Sequence, residues 1–349
     1  MLEEKYIGVY PFNNKAYLQN AAFDLQKNKG VEALVFVELK KYLKERNVVI
    51  NTYDIPTKKT PEKYVYLDMP YPSDIAAWKI ILANKGKNIL LCNETPLVIP
   101  FNYWKILHIF FSKIYTWHDG LIDSKKYFRI HWPKSSAGIN TKAKSFKAKK
   151  FLVIINTNKL PFYPFKIISP FGKELYTERI KSIEFFENKI PEKFYFYGKG
   201  WNKRKKYNIR ELFFGYKKYG TYRGTVDDKI KTLSDFKYAL CFENVEAKGY
   251  ITEKIFDAFK AKCVPIYWGA PDITTYIPKN CFIDFRDFYD YEKLLNYITN
   301  ISEDKYNGYI KNIEKLLSNK KFRDTWFEEG FARFFFATIL EAGTYEKNQ

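Results

Sequence analysis

The most constraining stretch of this 349-residue chain is Tyr238–Phe288. Three short apolar runs lie in it: Tyr238–Phe242, Cys263–Trp268 and Phe282–Phe285. Each is rich in β-forming residues and short enough for a buried strand. Between the first two, Ile251–Lys262 places Ile251, Ile255, Ala258 and Phe259 on one helical face. Strand, loop, helix and strand in that order predict a βαβ crossover, which requires a parallel sheet.

Polar residues gather where the first strand ends and the helix begins: Glu243, Asn244, Tyr250, Thr252, Glu253 and Lys254. Ligands of open parallel sheets bind at the carboxyl ends of strands. A helix N-terminus there offers free N–H groups and about half a positive charge, which suits a phosphate. Lys254 adds a full charge, and Glu253 can accept from sugar hydroxyls. The pattern is that of a nucleotide diphosphate site lacking a glycine-rich loop. A surface helix with charged first-turn residues fits the same spacing.

The run FEN, five residues, YITEK, then VPIYWGAP and a further short strand resembles the core of the family 10 fucosyltransferases, the α1,3/α1,4 enzymes. The likeness is close over about residues 150–290 and one of layout before that. It implies an α/β protein of GT-B type, two Rossmann-like domains facing a central cleft. The expected division is 1–149 for the acceptor-side domain and 150–324 for the GDP-fucose-binding domain. A C-terminal helix, 325–349, is expected to cross back or to pack within the second domain.

Composition sets further bounds. There are 59 Lys and Arg against 39 Asp and Glu, a formal net charge of +20. Nucleic acid, an anionic membrane and anionic small molecules are the partners such charge selects. No nucleic-acid module is recognisable, so nucleic acid is not expected, and peripheral contact with an acidic leaflet is. The 29 Tyr and 31 Phe fit a biased coding composition as well as any stacking role. Cys92, Cys241, Cys263 and Cys281 each lie in or beside an apolar run without a C-x-x-C pair. That points to buried thiols in a reducing compartment rather than a metal site. No apolar run approaches 18 residues, and the first residues have no signal-like core. The expectation is a cytoplasmic protein, peripheral at most on the inner face of the membrane.

In the N-terminal half, strands are expected at 5–12, 47–53, 63–67 and 88–92. Helices are expected at 31–46, at 75–84 with Ser73–Asp74 as cap, and at 101–113, with further strands at 114–117 and 126–132. The strand at 88–92 runs into Asn93-Glu94-Thr95-Pro96, which sets a carboxylate at a strand's carboxyl end. The resemblance makes Glu94 the general base. It also puts the region after that strand on the acceptor side, which nominates His118 and Asp119; His118 is the alternative base. The basic stretch Lys134–Lys149 reads as a linker or mobile loop. Beyond it, 150–156 and 194–197 read as strands and 174–189 as a helix. The resemblance assigns Arg179 to the donor diphosphate, a task that suits a permanently charged fork of donors. Arg223 is a second phosphate candidate, and Lys203–Lys218 reads as an insertion relative to shorter bacterial members.

The implied donor is GDP-β-L-fucose and the implied acceptor an oligosaccharide or glycolipid. Asn244, Tyr250, Thr252, Glu253 and Lys254 would hold the donor. No D-x-D motif occurs, so no cofactor is expected, with Mn or Mg at most stimulatory and no metal-ligating residue. A transferase using another GDP-deoxysugar is one alternative. A basic, non-catalytic glycan or nucleic-acid binder is another.

Overall fold

The computed structural model describes residues 4–28, 33–57, 59–160, 171–202 and 217–340. The chain packs into two units, one of Met1–Ala137 with Ser318–Gln349, the other of Gly138–Leu317. The division falls inside the basic stretch that begins at Lys134.

The first unit is a parallel sheet of β1 (Lys5–Pro11), β2 (Val48–Thr52), β3 (Lys63–Leu67), β4 (Asn88–Cys92), β5 (Lys113–Thr116) and β6 (Tyr127–Arg129). The strand order is β2-β1-β3-β4-β5-β6. The helix α1 (Ala33–Lys44) buries Val35, Phe36, Leu39 and Leu43 on one side of the sheet. On the other, α2 (Ile75–Ala83) buries Ala77 and Ile81 against Tyr66, Leu90 and Ile114. Asp74 caps α2 by accepting from the Ala77 amide at 3.1 Å.

The helix expected over 101–113 is instead two 3₁₀ turns, Pro100–Tyr103 and Lys105–Phe110. A side-chain bond explains the break. The Asn102 carbonyl, which an α-helix would give to the amide four residues on, lies 3.0 Å from His108 Nε2. His108 itself is buried, its Nδ1 lies 3.0 Å from the Tyr127 hydroxyl, and burial lowers its pKa.

The second unit is also parallel: β7 (Lys150–Ile155), β8 (Phe194–Tyr197), β9 (Phe236–Phe242), β10 (Val264–Trp268) and β11 (Ile283–Asp284). Its order is β11-β10-β9-β7-β8. Reading outward from β7, this is the doubly wound 2-1-3-4-5 order, with its switch point between β7 and β9. The helices are α3 (Tyr176–Lys189), α4 (Lys229–Ser234), α5 (Glu253–Lys260), α6 (Tyr291–Thr299) and α7 (Glu303–Ser318). The expected helix over 251–262 is thus shorter, because Thr252 is its extended N-cap residue.

From Ser318 the chain returns to the first unit as α8 (Lys320–Trp326) and α9 (Glu328–Phe335). The long helix that the apolar run at 325–340 suggests is broken at Phe327, whose backbone is extended. Phe331, Ala332 and Phe335 of α9 join the core that α1 caps. The stretch expected to be a loose linker is anchored at both ends. Lys134 and Ser135 are buried, and the Lys134 amide donates to Trp326 O at 2.6 Å. Lys149 is buried with its ammonium on the carbonyls of Phe236 and Lys262. Most of the Lys203–Lys218 insertion, 203–216, lies outside the described residues.

Candidate active site

The carboxyl end of β9 is held by one buried carboxylate. Glu243 is fully buried and accepts from the Thr252 amide at 2.8 Å, the Thr252 hydroxyl at 2.6 Å and the Lys254 ammonium at 3.0 Å. These bonds pin the N-terminus of α5 to the end of β9. The Thr252 hydroxyl is committed to Glu243 and does not cap α5. Lys254 also donates to Thr252 Oγ1 at 2.8 Å. An ammonium has three donors, so one is left for a ligand. Glu253, at the surface, lies 3.6 Å from the Lys254 ammonium and 4.0 Å from that of Lys229. Gly269 faces this knot: a Cβ there would lie 2.4 Å from Glu243 Cγ, so only glycine fits.

Arg179 clamps α3 to the same strand end. Its Nε and Nη2 donate to Phe242 O at 3.0 and 2.7 Å, and Nη2 also donates to Asn244 Oδ1 at 2.8 Å. Asn244 Nδ2 in turn donates to the Tyr250 hydroxyl at 3.1 Å. Burial works against the Arg179 charge and lowers its pKa, with Tyr176 and Glu243 opposing. Lys229 of α4 pairs with the buried Asp257 at 2.9 Å. Burial disfavours its charge too, but Asp257 and Glu253 outweigh it and hold its pKa above the ordinary lysine value.

Arg179, Lys229 and Lys254 line one small recess at the carboxyl ends of β7 and β9. Asn156, which closes β7, lines it as well, and its Oδ1 is buried without a hydrogen-bond partner among the described residues. Cys241 lies in the wall, and burial raises its thiol pKa. The recess therefore sits at the switch point and presents three cations and an unsatisfied amide. Arg223 is placed differently: it is exposed, extends past β8, donates to Gly220 O at 2.8 Å and does not line the recess. Glu243 as an anchor and Lys229 were not read from the sequence, and Asn156 was read only as the end of a strand. The alternation of β7 with β9 was the one signal that could have found Asn156, since it ends the strand beside the switch point.

In the first unit, Glu94 follows the carboxyl end of β4 and is half-buried. A second carboxylate, missed in the sequence, builds its loop. Asp68 follows β3 in a left-handed conformation, φ 65°, and is fully buried. Its Oδ1 accepts from the amides of Asn93 at 2.7 Å and Glu94 at 3.0 Å and from Asn102 Nδ2 at 2.6 Å. The Glu94 carbonyl accepts from the Tyr103 hydroxyl at 3.0 Å. Burial pushes Asp68 up to about 6 despite those bonds, which lower it. His118 follows β5, packs its ring against Trp117 at 5.5 Å and is lowered in pKa by burial, so it is neutral near pH 7. Asp119 is paired with Arg129. Ends of β3, β4 and β5 thus bring Asp68, Glu94 and His118 to one edge of this unit. Among the described residues, no group of three His, Cys, Asp or Glu side chains is arranged to hold a metal ion.

Residues 179–328 match the family model described as glycosyltransferase family 10 (fucosyltransferase) C-term. The matched segment takes in Arg179, Lys229, Glu243 and Lys254, the groups that build the recess. The α-(1,3)-fucosyltransferase FucT of Helicobacter pylori is 32% identical over 133 residues, 36% of this chain and 28% of that protein. An α-(1,4)-fucosyltransferase of Arabidopsis thaliana is 33% identical over 72 residues, 21% of this chain and 18% of its own. The matched stretch is thus less than a third of either relative's length. A solved α1,3-fucosyltransferase with GDP-fucose superimposes over 97% of this chain and 90% of its own, with a TM-score of 0.54 at 17% identity. That likeness is one of fold, of the GT-B class.

Proposed function

We propose that this chain is an inverting fucosyltransferase that moves L-fucose from GDP-β-L-fucose to a GlcNAc hydroxyl of a lactosamine-type glycan, in α1,3 or α1,4 linkage. The observation that carries the reading is the recess at the β7/β9 switch point, where Arg179, Lys229 and Lys254 converge beside a helix N-terminus that Thr252 leaves uncapped. A diphosphate is the ligand whose charge and oxygen geometry use all of these groups. The structural likeness to a fucosyltransferase solved with GDP-fucose supports the choice of nucleotide and sugar.

Chemically, inversion is one displacement. The acceptor hydroxyl attacks the anomeric carbon while GDP departs from the opposite face, and its proton passes to a carboxylate, Glu94. Charge builds on the diphosphate as the bond breaks. Lys254, Lys229, Arg179 and the α5 N-terminus stabilise it there more than in the ground state. Glu243 contributes by fixing the Lys254 ammonium before the donor arrives. Asn244 and Tyr250, joined by their own bond, shape the nucleotide side, and Glu253 accepts from sugar hydroxyls. His118 and Asp119 would line the acceptor.

Incubation with GDP-fucose and a panel of type 1 and type 2 lactosamine acceptors, read by mass spectrometry and linkage analysis, tests this. Fucosylated product with release of GDP is expected. Preference for another GDP-deoxysugar would keep the transferase and change the donor. Thermal stabilisation by RNA alone, with no transfer, would replace the enzyme with a basic binder.

A further inference from the structure

The first unit carries a face that the proposed transfer reaction leaves unexplained. The outer side of α2 and the 3₁₀ turn Lys105–Phe110 lie next to each other over the same side of the sheet. Trp78 meets Phe110 with ring centroids 5.9 Å apart. The Asn88 side chain ties the two elements, donating to Ile81 O at 2.8 Å and to Phe110 O at 3.1 Å. Their outward surfaces are strongly apolar. Ile75 is 67% exposed and Leu82 50% on α2; Trp104 is 51%, Ile106 74% and Ile109 68% exposed on and beside the turn. Five large apolar side chains on two adjoining elements exceed the scattered singles that any soluble surface shows.

Lysines outnumber carboxylates around this face. Lys79, Lys85 and Lys105 are exposed on the same two elements and the turn after α2. Lys105 and Lys126 both act on the neighbouring His108. The nearest carboxylates are occupied internally: Asp74 caps α2 and accepts from the Tyr10 hydroxyl at 2.8 Å, and Asp123 accepts three backbone amides of its own turn. Apolar side chains with a Trp at the margin, flanked by lysines, match an anionic lipid interface in both polarity and charge. Lysine stems can lie along the apolar surface while the ammonium stays at the headgroups.

We propose that this face, formed by α2 and the Lys105–Phe110 turn, docks the protein on an anionic membrane surface. A second copy of the chain would want the apolar groups but would be repelled by the lysines, which favours the lipid. The proposal stands apart from the donor site, since none of these residues lines the recess or the Glu94 loop.

Co-sedimentation with vesicles of phosphatidylcholine alone and with 30% phosphatidylserine (about physiological leaflet charge) tests it. The wild type is expected to pellet with the anionic vesicles only. Ile106→Glu/Ile109→Glu is expected to weaken that binding at least tenfold, and Lys79→Glu/Lys105→Glu about tenfold, both with GDP-induced thermal stabilisation unchanged. Absence of wild-type binding, or binding that neither pair alters, would overturn the assignment. So would a wild-type dimer that Ile106→Glu/Ile109→Glu dissociates, which would give the face to a second copy.

Discussion

At the residue scale, the loop after β4 holds two carboxylates of opposite kinds. Glu94 is half-buried beside its loop, whereas Asp68 is sealed beneath it. Glu94→Gln keeps shape but cannot take a proton, so kcat should fall by about 10²–10⁴-fold with GDP binding unchanged. Turnover kept in Glu94→Gln and abolished in His118→Ala would move the base to the histidine. Asp68 has a different signature. Its folded pKa of about 6 lies above the ordinary carboxylate value, so the native state holds that proton more tightly than the unfolded chain. The contribution to stability is full below about pH 4 and is lost as pH rises through about 6. Asp68→Asn, which also tolerates the left-handed backbone, should remove that decline. Urea midpoints measured from pH 4 to 7 should diverge between the two proteins; parallel curves would remove Asp68 from the pH response.

Elements explain what the sequence could and could not reveal. Strands such as Lys63–Leu67 and Asn88–Cys92 were legible because a buried parallel strand needs a short apolar run, and nothing else in those stretches competes. The helix expected over 101–113 was not, because the His108 ring takes a carbonyl that sequence periodicity assigns to a helix. The apolar run at 325–340 hid its break for a related reason: α8 and α9 meet backbone to backbone. A Cβ on Gly330 would lie 1.7 Å from Asp324 O. Gly330→Ala should therefore destabilise by about 1–3 kcal/mol or more. Gly308, mid-way along α7, has nothing within 4 Å of such a Cβ, so Gly308→Ala should stabilise by about 0.4–1 kcal/mol. Thermal melts of the two variants check both signs. In the recess between β7 and β9, Lys254 and Arg179 were legible through the family resemblance. Lys229 and Asn156 were not, since they come from separate elements that only the strand order brings together.

On the scale of the whole molecule, each unit is a parallel doubly wound sheet, and the second unit gathers Arg179, Lys229 and Lys254 at its switch point. On the proposed reading those cations and the helix N-terminus hold the donor diphosphate without a divalent ion, so transfer should persist in excess EDTA; complete loss restored by manganese would count against the proposal. Titration calorimetry of GDP in EDTA, against the wild type and Lys254→Ala, bears most directly on the central claim. One GDP per chain is expected, with affinity roughly tenfold to a hundredfold weaker in the variant; without ligand the variant melts lower than the wild type, because buried Glu243 loses its cation. Absence of GDP binding, or equal affinity in a folded Lys254→Ala, would contradict it.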